Sequence, residues 1–211
     1  MTSSAKTDWF IPVGLIALSF IPAAAGTFRL TQLGAGAEIT ADNARFFAAP
    51  VPVVLHILSA VLYCVLGAFQ FSTSFRRRNP NWHRVSGRIL VPCGLIAALS
   101  GLWMTQFYPH VNLDGPSLYV MRLLVGSAMT WFLYLGSAAI LRRDISQHRA
   151  WMMRAYALGI GAGTQAFTHL PLVLFPNIQG ELARTLSMGA GWALNLAVAE
   201  WFIVRERRGR S

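Results

Sequence analysis

The chain alternates long apolar stretches with short polar connectors. Six apolar segments stand out, at 9–28, 46–75, 85–108, 117–141, 150–175 and 182–204. Each is long enough to carry a helix across the ~30 Å of bilayer hydrocarbon, which takes ~20 residues. Helices also satisfy their own backbone hydrogen bonds, as lipid demands. The second and fifth segments exceed that length, which predicts tilt or projection beyond the hydrocarbon. The pattern predicts an all-α integral membrane bundle of about six transmembrane helices.

The connectors differ in charge. One set carries Arg76, Arg77, Arg78, Arg84 and Arg88, then Arg142, Arg143, Arg149 and Arg154, then Arg205, Arg207, Arg208 and Arg210. The intervening connectors, around 29–45, 109–116 and 176–184, are nearly balanced. By the positive-inside rule the arginine-rich set is cytoplasmic, which puts both termini inside a bacterial inner membrane. Trp9, Trp82, Tyr108, Tyr119 and Trp151 fall near segment ends, where aromatic side chains anchor at the interface. The first segment, with Lys6 ahead of it and Ala23-Ala24-Ala25-Gly26 within it, also has the composition of a cleavable signal peptide. An uncleaved first helix is the expectation taken.

Composition narrows the class. Hydrophobic residues make up 55% of the 211 and charged residues 12%, too little polar surface for a soluble monomer. Six spans use up the length, so 1–211 is expected to be a single transmembrane domain. The net charge of +10 sits in short connectors rather than on a basic face, which argues for orientation and against a nucleic-acid partner. Cys64 and Cys93 fall inside apolar segments without CxxC or zinc spacing and read as buried thiols. Gly159, Gly161 and Gly163 read as a surface for close helix packing.

Five histidines carry the candidate chemistry. At ~1.5 Å per residue, His56 lies about 9 Å inside its segment from Pro50, and His169 about 9 Å inside its own from Phe175. The two segments run in opposite senses, so both imidazoles are expected in the outer leaflet. His83 and His148 share the cytoplasmic boundary. His148 and His169 differ by about 60° around a continuous helix, so one face can serve both. A pair near each membrane surface is the pattern that grips two haems b, each between two imidazoles, for electron transfer. Ordinary hydrogen bonding of a buried imidazole, or headgroup contact at the interface, uses the same residues differently. His110 is expected to be an exposed loop residue.

Other polar groups sit in or beside the apolar segments: Gln70, Gln106, Arg122, Gln165, Asn195 and Glu200. These must turn toward helices, water or a ligand. Arg122 can hold a carboxylate such as a haem propionate, or snorkel to headgroups. Glu200 suits a salt bridge to Arg88 or Arg154, or a proton relay. In HRVSGR, Arg84 and Arg88 share a helix face, Gly87 lets another backbone approach, and His83 opens the helix. In HRAWMMR, Trp151 offers a flat wall beside Arg154.

His56, Leu66-Gly67-Ala68-Phe69-Gln70-Phe71, His83-Arg84-x-x-Gly87-Arg88 and His148-x-x-Trp151-Met152-x-Arg154-Ala155-Tyr156-Ala157-Leu158 together resemble the DUF2306 family of predicted bacterial membrane proteins. That resemblance covers the second to fifth segments and implies a compact multi-helix membrane protein. The layout is also similar to that of cytochrome b561-like proteins, in which histidines on successive helices bind two haems on opposite sides of the bilayer.

The resulting expectation is a haem b-binding electron-transfer protein, a transmembrane oxidoreductase linked to quinone or ferric iron, with lipid as its other partner. His56 and His169 are the outer ligand pair and His83 and His148 the inner pair. Arg84, Arg88, Arg122 and Arg154 balance propionates or lipid phosphates. A small transporter or channel for a proton, metal ion or solute is the alternative, favoured by helices broken at Pro92, Pro171 or Pro176 and by a cavity joining His56 to His83. A non-catalytic assembly or sensory subunit is the third reading.

Overall fold

The computed structural model describes residues 7–111 and 113–209; Lys6 and Arg210 lie outside them. Ten α-helices and two short 3₁₀ turns account for nearly all of the described residues. Five helices are long and apolar enough to cross a membrane: α1 (Thr7–Gly34), α3 (Pro50–Ala68, continued by a 3₁₀ turn to Phe71), α5 (Pro80–Phe107), α6 (Pro116–Leu141) and α10 (Glu181–Arg208). The short helices α2 (Ala44–Ala48) and α4 (Thr73–Arg78) sit before and after α3. A multi-pass all-α membrane bundle is therefore the architecture.

Local sequence explains where the helices start. Pro50, Pro80 and Pro116 occupy first-turn positions, where a missing N–H costs nothing. Ser72 caps α4 by accepting from Phe75 N at 3.2 Å, and Asp144 caps α7 (Ile145–Gly159) by accepting from Gln147 N at 3.0 Å. The expected second segment, 46–75, is interrupted at Ala49 and Ser72, so what looked like excess length is two short flanking helices. Pro92 lies within α5, which runs through it.

The expected span at 150–175 is the one departure in kind. It is a broken run: α7, then α8 (Gly161–Thr168), then α9 (Leu170–Leu174), with breaks at Ile160 and His169. Its glycines show why the break is tolerated. An added Cβ on Gly159 would stand 2.7 Å from the Tyr63 ring, on Gly161 2.3 Å from Trp192, and on Gly163 2.2 Å from the Leu18 carbonyl oxygen. Close neighbours on both sides take over the packing that an unbroken helix would present.

Contacts place this run at the centre. α1, α3, α5 and α6 pack in sequence, α3 against both α1 and α5. α7 packs on α6 and α10, whereas α8 packs on α10 and α1. The run thus slants away from α6 as it leaves the arginine-rich end. Its residues Ala155, Tyr156, Leu158 and Ile160 join Tyr63, Leu90, Ala98, Met129 and Leu133 in the core. Tyr156 donates to the Cys64 carbonyl at 2.7 Å inside that core, worth about 1 kcal/mol net and costly to strand.

The two ends of the bundle are each internally consistent. At the arginine-rich end Trp9, Phe69, Phe75 and Trp82 form an aromatic cluster, and Arg154 pairs with Glu200 and Arg149 with Glu206, tying α7 to α10. At the opposite end Tyr108 donates to the Ala49 carbonyl at 2.6 Å and stacks edge-on against Phe46 and Trp103.

Candidate functional site

Where α8 slants toward α1 and α10, it leaves a chamber of about 470 Å³ bounded by α1, α3, α5, α6, α8 and α10. That size suits a single small molecule. Ile57, Ala60, Val61, Val125 and Gly126 make much of its wall apolar. Tyr63, Leu158 and Ile160 meet it from the core side. Its charged groups, Arg45, Asp114, Arg122 and Arg184, gather toward the end away from the arginine-rich connectors.

His56 stands in this wall. Its Nδ1 lies 2.8 Å from the Ala97 carbonyl oxygen and 3.2 Å from Ser100 Oγ, both on α5. A carbonyl can only accept, so the imidazole carries its proton on Nδ1 and keeps a free lone pair on Nε2. A hydrogen bond of this kind fixes the tautomer and orientation of the ring. Gly101 lies against the ring; a Cβ there would stand 3.4 Å from His56 Cε1, an ordinary van der Waals contact.

The mouth of the chamber is charged. Asp114, with a side chain only 6% exposed, accepts from Arg122 Nη1 on one oxygen and Arg184 Nε on the other, each at 2.6 Å. Burial alone would raise its pKa, but the hydrogen bonds and charges of the two arginines outweigh burial and hold it below the usual carboxylate range. Arg45 completes the rim; its Nε is buried without a partner, and its Nη1 reaches the Pro109 carbonyl at 3.5 Å. Arg45, Asp114 and Arg184 were passed over in the sequence because each lies in or beside a connector whose charges nearly cancel. Only folding shows that three such connectors meet.

Residues 53–203 match the model of a family described as a predicted membrane protein, DUF2306. The chain belongs to the DUF2306 family. No curated protein and no solved structure matches it. The DUF2306 match takes in most of α3 through most of α10, so His56, Asp114, Arg122 and Arg184 fall inside it. The wall contributed by α1, and Arg45 on α2, fall outside.

Within this DUF2306 chain the expected site residues separate. His169 is not in the chamber wall with His56: the α8–α9 break turns it so that its Nδ1 bonds the Gln165 carbonyl of its own run at 2.8 Å. The sequence expectation of equal depth did not address lateral position, and His169 lies outside the wall that holds His56. His110 is exposed, as expected, but it lines the chamber mouth near Tyr119. His83 and His148 are close enough for their charges to interact, as are Arg76 and Arg84 with His83. His83 Nδ1 is buried without a partner, and His148 Nδ1 bonds the Gly136 carbonyl at 2.8 Å. Neither lines the chamber, so the chamber does not extend from His56 to His83.

The arginines also divide. Arg122 alone of the four expected ones reaches the chamber. Arg84 and Arg88 are exposed at the opposite end, and Arg154 is taken by Glu200 while lying 4.5 Å over the Trp151 ring. Of the two partners expected for Glu200, the structure selects Arg154. Gly87 faces open space, since an added Cβ would meet nothing within 4 Å. Among the described residues no second backbone makes the close approach expected there. The remaining polar groups have partners: Gln70 with Ser86, Gln106 with Tyr119, Gln165 with the Met188 carbonyl, and Asn195 with Thr164 and the Ala157 carbonyl.

Proposed function

We propose that this DUF2306 member is a haem b-binding electron-transfer protein of the bacterial inner membrane, with the arginine-rich end in the cytoplasm and the chamber as its haem site. The observation that supports the reading is the mounting of His56: an imidazole held by a backbone carbonyl through Nδ1, offering Nε2 from the wall of an apolar chamber. The donor set fits one haem rather than two. It does not fit the pairing of His56 with His169, because only His56 belongs to this wall. Other wall residues that would be able to hold haem iron include Met104, Met129 and Met188, through their thioethers.

Bound there, haem would supply a one-electron couple. The protein's own share is to fix the ligand ring against Ala97 and Ser100, to keep bulk water from the apolar wall, and to set a low-dielectric surrounding that tunes the potential. Quinone or a small redox molecule is the proposed partner. A solute pathway draws support from the helix break beside the chamber, but the chamber does not extend to His83.

The test is an absorption spectrum of protein purified after haem-supplemented expression. Soret and α bands that shift on dithionite reduction are expected. They should be lost in His56→Ala protein that still elutes as a folded species, and retained in His169→Ala. A colourless wild-type preparation that resists reconstitution with haemin would reject the reading.

A further inference from the structure

We infer that the chamber mouth is a carboxylate seat formed by Arg45, Arg122 and Arg184, and that it selects an amphiphile carrying its acid at one end and an apolar body that enters the chamber. Asp114 is the built-in counterpart of that acid. The inference shares its chamber with the haem reading, since a porphyrin with two propionates is one member of the class, but it does not require iron.

Charge comes first. Three guanidiniums and one carboxylate line the chamber mouth, leaving two positive charges at the edge of an apolar space. Near the rim, Arg29 and Glu181 add one charge of each sign and change nothing in that balance. Two uncompensated cations beside low-dielectric walls favour an anion strongly, and more so than they would in open water.

Hydrogen-bonding capacity agrees. A guanidinium has five N–H donors. Asp114 takes one from Arg122 and one from Arg184; a second Arg122 nitrogen has only the Met188 thioether at 3.6 Å, a weak acceptor. Arg45 has its long contact to Pro109 and a buried Nε with no acceptor. Its charge is disfavoured by burial, partly offset by Asp114, and disfavoured again by Arg122 and Arg29. A planar carboxylate relieves both the charge and the missing acceptor, in the forked geometry that arginine favours.

Shape supplies the second half of the selectivity. Directly inward of the arginines the wall becomes Ile57, Ala60, Val61 and Val125. A small hydrophilic anion would satisfy the rim and leave this wall wetted. A neutral lipid would fill the wall and leave the buried Arg45 Nε without an acceptor and the net positive charge of the rim unbalanced. Only a molecule with both ends removes both costs.

Trp192 lines the chamber, so the part of the ligand-induced change in tryptophan fluorescence that is lost in Trp192→Phe reports occupancy. Purified full-length protein in a non-ionic detergent would be titrated with haemin against haemin dimethyl ester, and with palmitate against methyl palmitate. Each acid is expected to bind at least about tenfold more tightly than its ester, the factor for one hydrogen bond to a charged group. Arg45→Gln, which breaks no ion pair with Asp114, should cut the acid affinity about tenfold and leave the ester unchanged. Arg184→Gln should do the same, and Asp114→Asn should strengthen acid binding. Equal affinity of acid and ester in the wild type would overturn the inference, as would an acid preference untouched in Arg45→Gln. His56-dependent haem bands with no ester effect would sink the seat and spare the haem reading. A palmitate preference lost in Arg45→Gln, without haem bands, would do the reverse.

Discussion

Replacing Gly163 with alanine adds one methyl group where α8 crosses α1. The new Cβ would stand 2.2 Å from the Leu18 carbonyl oxygen and 2.9 Å from its carbonyl carbon. Ordinary carbon–oxygen contacts begin near ~3.3 Å, so α1 or α8 must retreat by about 1 Å. Because the obstacle is backbone, no rotamer change relieves it. Alanine is the better helix former by about 1 kcal/mol, and overpacking of this kind costs about 1–3 kcal/mol, so the clash decides the sign. Gly87 is the matched control: it lies in α5, an added Cβ there meets nothing within 4 Å, and only the propensity gain remains. Thermal unfolding in detergent, followed by tryptophan fluorescence, should show Gly163→Ala below the wild type and Gly87→Ala at or above it. For a chain of this length, each kcal/mol shifts the midpoint by about 2–4 °C. A Gly163→Ala midpoint equal to or above that of the wild type would refute the close approach of α1 and α8, and with it the α1 wall of the chamber.

Asp114 adds a pH dependence. Its depressed pKa means that its contribution is complete above the unfolded carboxylate value of about 3.9 and is lost as pH falls through the lower folded value. Wild-type midpoints should therefore fall more steeply with acid below about pH 4 than those of Asp114→Asn, measured in parallel scans. Arg154→Leu leaves Glu200 without its partner; with that carboxylate 45% exposed, the loss should be about 1–2 kcal/mol, short of a fully buried pair, and Glu200→Leu added to it should recover part. Arg143 holds a left-handed φ of 62° in the turn between α6 and α7, so Arg143→Gly should raise the midpoint by the equivalent of about 1 kcal/mol. A lower midpoint there would mean that the arginine side chain contributes more than its backbone strain.

The helices and their grouping into one bundle were legible in the sequence because apolar length is itself the requirement for crossing lipid. So was the role of Gly159, Gly161 and Gly163, whose small size permits close contact. The segment 150–175 reads as one helix in the sequence, since hydropathy is blind to whether a stretch is broken, whereas the structure has α7, α8 and α9 there. That one difference moved His169 out of the wall that holds His56 and opened the chamber.

Arg45, Asp114 and Arg184 come from three different connectors, and no local pattern links them. Their meeting depends on how α2 and the starts of α6 and α10 come together around a central run that slants. What the sequence alone determined was therefore set by each segment's own length and polarity, which act locally. What the tertiary structure decided was which side chains share a cavity, because that depends on lateral packing between segments far apart in the chain.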